Sequence, residues 1–279
     1  MFKEQFTDLK YFNWLIRNWF NLKGDKSSLI TFLIYWTFYP IPRLLLGKEK
    51  AHKILPGIIS KLKNKNLIIP LSTDRRNVYW IGLRDKVDFE IFREVCIEDH
   101  YNSSLIKPRM TVVDVGSHIG TFTLIASQKV GEKGKVITIE PEIHNFGQLK
   151  DNLKLNEINN CKEINVALAD YNGEGTLFIK EKSCGHSLVS DDSPIGKTQV
   201  VVRTLDSLLK ELNVNKVDFL KIDTEGAELE VLKGAREILL KNPRIKIVTE
   251  CSPEQKAEMI EYLKNFKFSP KVFWSLVWA

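Results

Sequence analysis

The sequence predicts an α/β fold built on an open, mostly parallel sheet. Residues 111–115 (Thr-Val-Val-Asp-Val) have the pattern of a buried strand, Gly116 and Gly120 mark a tight turn, and the apolar run that follows has helical spacing. A second apolar run, residues 136–140, ends in an acid 20 positions after Gly120. Further apolar runs alternate with helical patterns to the end of the chain, which is typical of parallel strands joined by helices.

The basic excess of the chain lies in its N-terminal part. The 279 residues carry a net charge of +6, but residues 1–65 hold 12 Lys/Arg against 4 Asp/Glu, whereas the rest hold 29 against 31. A near-neutral active region disfavours nucleic acid as a partner. The four cysteines have no C-x-x-C spacing, so we expect neither zinc nor disulfides, and a reducing, cytoplasmic location fits.

Three parts of the chain are predicted: a helical extension at 1–65, a lead-in hairpin and helix at 66–107, and a cofactor-binding domain at 108–279. The extension is aromatic and basic, and its apolar run at 29–46 meets Pro40 and Pro42 after 11 residues, too few to span a membrane. Two interpretations stay open. In the first, residues 6–46 lie in the plane of a membrane surface, and the protein is peripheral to that membrane. In the second, they pack against the main domain or against a second subunit of a homo-oligomer.

Periodicity predicts the remaining elements. A hairpin spans 67–81 around a turn at 74–77, and a short helix at 88–95 has Asp88 as its N-cap and a buried stripe of Phe89, Phe92 and Val95. A helix at 141–155 has Pro141 in its first turn, and a third parallel strand at 163–168 places Ala167 at its tip. The later elements are strands at 173–179, 199–204, 217–222 and 245–250, helices at 205–212, after Gly226 and at 253–266, and a final sheet segment within 268–278.

Glu140 indicates a ribose-containing cofactor. An acid at the tip of the second parallel strand can accept hydrogen bonds from both ribose hydroxyls, and the glycine turn lets backbone approach the ligand. However, Gly116-x-x-x-Gly120 lacks the third glycine of a dinucleotide fingerprint. Asp114 would also repel a pyrophosphate, whereas it could help to hold a cationic amino-acid group. We therefore favour S-adenosylmethionine over NAD, with an NAD-dependent oxidoreductase as an alternative.

A second acidic stretch, Asp223, Glu225 and Glu228, follows the strand at 217–222. The helix dipole explains Glu225 and Glu228 better than Asp223, which belongs to the strand tip. The long polar loop at 183–196 is a candidate for acceptor binding and contains His186. Asp223, Glu225 and His186 are the candidate general bases, in that order. A divalent cation on Asp223, Glu225 and Glu250 is conceivable, but acids at strand tips need no metal, so we expect none.

Five motifs in order, DVGSHIGTF, ITIEP, NVALAD, VRTLDSL and FLKIDTEGAE, together resemble the FkbM family of S-adenosylmethionine-dependent methyltransferases, over about residues 80–252. The resemblance implies a Rossmann-like class I methyltransferase fold, with a mostly parallel seven-stranded sheet and helices on both faces. It also implies O-methylation of a hydroxyl on a sugar, glycolipid or other small molecule.

The resemblance carries cofactor roles over by position. Asp114, Gly116 and Gly120 line the methionine part, within a turn whose remaining cofactor-binding positions are Ser117, His118 and Thr121. Glu140 holds the ribose, Ala167 borders the adenine and Asp223 lies near the methyl group. The alternative from another class is a non-catalytic, membrane-associated scaffold with a vestigial nucleoside site.

Overall fold

The computed structural model describes residues 67–71, 79–97, 99–189, 194–273 and 276–279. The chain divides into two compact units, Met1–His100 and Tyr101–Ala279. The predicted extension at 1–65, the predicted turn at 74–77 and residues 190–193 of the polar loop lie outside the described residues. Within the described ranges, we find no helix that is both long and apolar enough to cross a membrane.

The first unit contains the predicted hairpin. Strand β1 (Leu67–Leu71) pairs antiparallel with β2 (Tyr79–Leu83), and Leu67 lies opposite Leu83. Helix α1 (Lys86–Phe92) follows and continues as a π-helical turn over Arg93–Ile97. The apolar stripe is confirmed, since Phe89, Phe92 and Val95 are all buried.

The predicted N-cap of this helix was wrong by one turn. Asp85 is the N-cap, and its carboxylate accepts hydrogen bonds from the backbone N–H groups of Val87 and Asp88. Asp88 lies inside the helix and is fully buried, where it forms an ion pair with Arg84 at 2.9 Å. Either Asp85 or Asp88 could cap the start of a helix. The sequence pattern does not show that Arg84 pairs with Asp88, which leaves Asp85 as the N-cap.

The second unit contains the main sheet. The strands of this unit are β3 (Thr111–Val115), β4 (Lys135–Ile139), β5 (Cys161–Ile164), β6 (Ala167–Leu168), β7 (Gly173–Ile179), β8 (Gly196–Arg203), β9 (Phe219–Ile222), β10 (Lys246–Glu250), β11 (Lys271–Phe273) and β12 (Leu276–Trp278). Seven of them form one sheet in the order β11-β12-β10-β9-β3-β4-β5. The pairs from β10 to β5 are all parallel, and β12 is antiparallel to both neighbours.

Helices cover this sheet, as the class I fold requires. They are α2 (Thr121–Val130), α3 (Ile143–Leu155), α4 (Leu205–Glu211), α5 (Glu228–Lys233), α6 (Arg236–Lys241) and α7 (Lys256–Asn265). Successive strand residues point to opposite faces of a sheet, and Val112 and Val113 both have no exposed surface. Both faces of the central strand are therefore covered, which explains the continuous apolar runs of the sequence.

The third predicted strand, 163–168, was wrong as a single element. It breaks after Ile164, and Ala167–Leu168 instead pairs parallel with β8 in a second sheet of order β6-β8-β7. The side-chain amide of Asn165 donates to the carbonyls of Glu140 and Pro141, at 2.8 and 3.0 Å. These side-chain bonds compete with the regular ladder and redirect the chain. Ala167 consequently opens a separate strand and does not form the tip of a main-sheet strand.

The start of α3 also differs from the prediction. Glu142 is its N-cap and accepts a hydrogen bond from the Asn145 N–H at 2.7 Å. Pro141 thus precedes the helix and is not in its first turn. Leu149 and Leu153 are buried as predicted, whereas Phe146 is only half-buried.

Candidate active site

Four neighbouring strands of the main sheet, β4, β3, β9 and β10, end at the same level. Val115 at the end of β3 is in register with Ile139 of β4 and with Ile222 of β9. Thr249 of β10 is in register with Ile222 as well. The next residues in each strand therefore form one row along the carboxyl edge of the sheet: Glu140, Gly116, Asp223 and Glu250. Ligands of open α/β sheets bind at this edge.

Gly116 brings two loops of this row into contact. Its φ is +71°, and a Cβ atom built on it would lie 1.7 Å from the carbonyl oxygen of Asp223. No residue with a side chain fits there without displacing backbone. The N–H groups of Gly116 and Ser117 both donate to the carbonyl of Ile139, at 3.0 and 3.1 Å, which fixes the turn to β4.

Glu140 is buried and its carboxylate is held by backbone. One oxygen accepts the N–H of His118 at 2.8 Å and the other accepts the N–H of Glu142 at 3.0 Å. Burial raises the pKa of Glu140 to about 7, although these two hydrogen bonds act in the opposite direction. Each carboxylate oxygen can accept a second hydrogen bond, so the arrangement suits a ligand with two adjacent hydroxyls.

The N-terminus of α2 offers polar groups that a ligand could satisfy. Gly120 is its N-cap, with φ of +87° and no side-chain capping bond. The Thr121 hydroxyl is buried and has no hydrogen-bond partner within the part of the chain that the structure describes. Buried polar groups are normally paired, and a helix N-terminus favours an anionic group. The carboxylate of a methionine moiety fits these donors.

Lys221 carries a buried positive charge between two acids. Its ammonium group lies 3.2 Å from the Asp114 carboxylate and 3.6 Å from that of Asp223, and it donates to the carbonyl of Gly116 at 2.6 Å. Burial alone would lower the pKa of Lys221, but Asp114 and Asp223 outweigh it and raise the pKa. Asp114, which also accepts the Thr123 hydroxyl at 2.6 Å, is fully buried, so its charge is balanced inside the protein.

Asp223 is the more accessible of the two acids that flank Lys221. Its side chain is 23% exposed, against 0% for Asp114. It accepts the Tyr101 hydroxyl at 2.6 Å, and that hydroxyl lies 3.5 Å from Glu250. Burial raises the pKa of Asp223, Lys221 lowers it, and Glu250 raises it again. The net effect is a carboxylate whose pKa is moved upward, towards the range useful for a general base.

The turn after Asp223 is organised by Glu228. This buried carboxylate accepts the N–H groups of Thr224 and Gly226, at 2.8 and 3.0 Å. Glu225 is exposed at the apex of the turn with φ of +56°. Although the residue as a whole is exposed, the protein around its carboxylate displaces part of the water, and this desolvation, followed by the charges of Asp223 and Glu250, raises the pKa of Glu225. Glu228 thus shapes the turn, and Asp223 and Glu225 are the acids it presents.

The polar loop contacts both ends of the site. The Ser183 hydroxyl lies 3.1 Å from Nε2 of His118, and the Ser183 carbonyl accepts the Asn145 amide at 2.8 Å. At the other end, a Cβ atom built on Gly226 would lie 3.7 Å from Cβ of Val189. Burial, followed by the charges of Glu225 and Asp223, raises the pKa of the Cys184 thiol to about 12. Nδ1 of His186 accepts the Lys180 N–H at 3.1 Å. This bond leaves the ring proton on Nε2 and favours the two acids over His186 as the base.

Most of the predicted positions thus gather at one edge, while three contributors went unrecognised in the sequence. The predicted positions that lie in or next to this row are Gly116, Ser117, His118, Gly120, Thr121, Glu140, Asp223 and Glu225. Ala167 lies instead in the second sheet. Lys221, Tyr101 and Asn145 were missed. A single charge inside an apolar strand, Phe-Leu-Lys-Ile, was a usable signal for Lys221. No local pattern indicated that Tyr101 contacts the acids of the site.

The sheet order and the row of acids define the class of protein: a Rossmann-like fold of the kind that methyltransferases use. The chain belongs to the FkbM methyltransferase family, because residues 114–270 match the Methyltransferase FkbM domain. This membership contradicts the NAD-dependent oxidoreductase alternative.

Several proteins that are similar to this chain in sequence or structure are described as methyltransferases. Methyltransferase 1 of Beauveria bassiana (strain ARSEF 2860) is 29% identical over 169 residues, 53% of this chain and 67% of that protein. Methyltransferase sdnD of Sordaria araneosa is 26% identical over 229 residues, 71% of this chain and 87% of that protein. The crystal structure of an FkbM methyltransferase from Methylobacillus flagellatus KT aligns with a TM-score of 0.43 and 15% identity, over 90% of this chain and 54% of that one.

Proposed function

We propose that this methyltransferase transfers a methyl group from S-adenosylmethionine to a hydroxyl of a sugar, glycolipid or other small molecule. The observation that carries the proposal is the row at the carboxyl edge, in which Glu140 and Asp223 flank Gly116. A ribose-accepting acid and a base are thereby held at a fixed separation by paired strands.

The residues present fit this cofactor. Glu140 would accept the ribose hydroxyls, and Thr121 with the N-terminus of α2 would hold the methionine carboxylate. Gly116 lets the backbone of both loops lie close to the ligand. When bound, S-adenosylmethionine supplies a methyl group on a positively charged sulfur, and the chain must orient the acceptor and take up its proton.

Asp223 is the leading candidate for the base. Tyr101 bonds one of its oxygens, and the exposed part of the side chain can accept an acceptor hydroxyl. A raised pKa makes a carboxylate a better match to the proton that it must remove. Glu225, exposed next to it, is the second candidate.

The charges around Asp223 support an uncharged acceptor group. Burial, together with mutual repulsion among Asp223, Glu225 and Glu250, raises the pKa values of Asp223 and Glu225. A phosphate or carboxylate next to the acceptor hydroxyl would be repelled by these acids. A neutral hydroxyl, as in a sugar, would not be.

Calorimetric titration of S-adenosylmethionine and S-adenosylhomocysteine into the full-length protein tests the proposal. We expect both to bind, and Glu140→Ala to weaken both roughly tenfold to hundredfold, because hydrogen bonds to a charged group are lost. Glu174→Ala on β7 is the matched control and should leave both affinities unchanged. Failure of the folded wild-type protein to bind either compound would contradict the proposal and favour the scaffold alternative.

A further inference from the structure

Tyr101 contacts the candidate base directly, from a segment remote in sequence. Its hydroxyl donates to Oδ2 of Asp223 at 2.6 Å, and the two residues are 122 positions apart. The ring packs edge-on against Phe122, with centroids 5.7 Å apart, and the Lys221 ammonium lies 5.1 Å from the ring centroid. Tyr101 is buried, so these contacts fix the phenol in one place.

We propose that Tyr101 is the positioning residue for Asp223: its hydroxyl occupies Oδ2 and stabilises the ionised carboxylate, which leaves Oδ1 to take up the proton of the acceptor hydroxyl. Asp223 is assigned to the methyl-transfer site only under the proposed function. The role of Tyr101 therefore rests on that proposal. Tyr101 would act through Asp223 and would not itself take the proton.

The surroundings of Asp223 favour its protonated form, and the Tyr101 hydroxyl opposes this effect. The titratable groups that face it come from β3, β9, β10, the turn, α5 and the polar loop: Asp114, Lys221, Glu250, Glu225, Glu228 and Cys184. Four of these are acids, and together with burial they favour the protonated form of Asp223. Lys221 opposes them, but it is shared with Asp114 and lies nearer to that acid. The Tyr101 hydroxyl adds a second stabilising contact on Asp223.

Tyr101 is suited to remain a donor under all ordinary conditions. Burial, followed by the charges of Asp223 and Glu250, raises the pKa of the Tyr101 phenol well above its usual range. The phenol therefore keeps its proton whenever the carboxylate is ionised. A hydrogen bond that is made to the charged form of an acid lowers the pKa of that acid, so removal of the hydroxyl should raise the pKa of Asp223.

The ratio of the dissociation constants of S-adenosylmethionine and S-adenosylhomocysteine reports the charge of Asp223. Its measurement requires no acceptor substrate. S-adenosylmethionine carries a positive sulfur and S-adenosylhomocysteine does not, whereas the ribose is common to both. Titration of Glu140 therefore affects both dissociation constants and largely cancels in their ratio. An ionised Asp223 beside the sulfur should favour the sulfonium, so the preference for S-adenosylmethionine should rise with pH as Asp223 ionises.

The experiment measures this ratio by calorimetry from acid to alkaline pH for the wild type, Tyr101→Phe, Asp223→Asn and the double variant. We expect Tyr101→Phe to move the midpoint upward by roughly one pH unit, since one hydrogen bond to the carboxylate is lost. The ring contacts with Phe122 survive this substitution, so a role in packing alone would leave the midpoint in place. Tyr262→Phe, which removes a 3.3 Å hydrogen bond to the Leu232 carbonyl on α5, is the matched control.

The double variant decides whether Tyr101 acts through Asp223. We expect Asp223→Asn to remove the part of the pH-dependent step that comes from Asp223, leaving only the part that comes from Glu225, and Tyr101→Phe to have no further effect in that background. A midpoint unmoved by Tyr101→Phe, or moved equally with Asn at position 223, would overturn the role of Tyr101 while leaving the proposed function intact. Absence of binding of either compound to the wild type would instead be a failure of the proposed function.

Discussion

Gly116 illustrates how a residue can meet two demands at once. The sequence suggested that this glycine admits a ligand, yet the structure shows that it first admits the carbonyl of Asp223. The close approach joins the loop that follows β3 to the loop that carries the candidate base. The geometry of the base therefore depends on a glycine in the cofactor-binding turn.

We predict that Gly116→Ala destabilises the protein more than Gly131→Ala. Both glycines have positive φ, but a Cβ atom at Gly131 would meet nothing within 4 Å, whereas at Gly116 it would overlap backbone. Both variants pay for the strained backbone conformation, and Gly116→Ala should cost roughly 1–3 kcal/mol more, because atoms must move to relieve the overlap. Denaturant unfolding of the two variants measures the difference; equal losses would show that the contact with Asp223 contributes nothing.

The residues that were missed show why part of the site could not be predicted. Glu140 and Asp223 were recognisable because each follows an apolar strand at a fixed distance from a glycine turn. Tyr101 lies 122 positions from its partner, and nothing near it in the sequence marks that contact. Lys221 was visible as a charge in a buried strand, but its partner Asp114 became evident only once β3 and β9 were found to be neighbours.

Among the elements, the turn between β9 and α5 links fold and site most directly. The sequence pattern placed three acids there but assigned Glu228 only a favourable interaction with the helix dipole. In the structure this carboxylate reaches back and accepts the N–H groups of Thr224 and Gly226. The element therefore holds its own shape, and Asp223 and Glu225 are positioned as a consequence.

We predict that Glu228→Ala lowers the free energy of unfolding by about 2 kcal/mol, because two backbone donors lose a charged acceptor. S-adenosylmethionine binding should weaken as well, since the turn carries Asp223. Glu237→Ala is the control: the side chain of this exposed acid pairs with the exposed Lys241 on the same helix, and its loss should leave stability nearly unchanged. Urea unfolding and calorimetry check both effects, and a Glu228→Ala variant as stable as the control would refute the role of the carboxylate.

Element boundaries were predicted less well than element order. The alternation of strands and helices was confirmed throughout the main sheet, because continuous apolar runs are needed wherever both faces are covered. The strand predicted at 163–168 was wrong because Asn165 bonds the backbone beyond β4, a contact between segments that no local pattern shows. The helix N-caps Asp85 and Glu142 were missed for a different reason. Other acids close to each of them in the sequence were equally good N-cap candidates.

At the scale of the whole molecule, the site concentrates negative charge in a protein whose net charge is positive. The basic excess belongs to residues 1–65, whereas the carboxyl edge of the sheet holds Glu140, Asp223, Glu225 and Glu250. Burial raises the pKa values of Glu140 and Asp223, and partial desolvation together with the neighbouring acids raises that of Glu225. Such acids hold protons in the folded state that they would release on unfolding, so the free protein gives up stability to keep an acidic, cation-accepting edge.

We predict, as a consequence, that the ligand-free protein loses stability as the pH rises from about 4.5 to about 8, the range between the ordinary and the raised pKa values of Glu140 and Glu225. Glu140 illustrates the sign: its pKa is 4.5 ordinarily and about 7 in the folded protein. Between these values the folded state binds more protons than the unfolded state, so each rise in pH favours unfolding. The penalty is absent below the ordinary pKa and complete above the folded one. The pKa of Lys221 is also raised, so its stabilising contribution persists across this window and is lost only at strongly alkaline pH.

Thermal unfolding at a series of pH values measures this effect, which we expect to be on the order of 1–3 kcal/mol across the window. Glu225→Gln should flatten the upper part of the profile, because this exposed residue can lose its charge without loss of a hydrogen bond that shapes the turn. Glu174→Gln, an exposed acid on β7 away from the carboxyl edge, should leave the profile as it is in the wild type. A melting temperature that stays constant or rises over the same window would show that the acids at the carboxyl edge are fully compensated by Lys221 and the backbone donors around them.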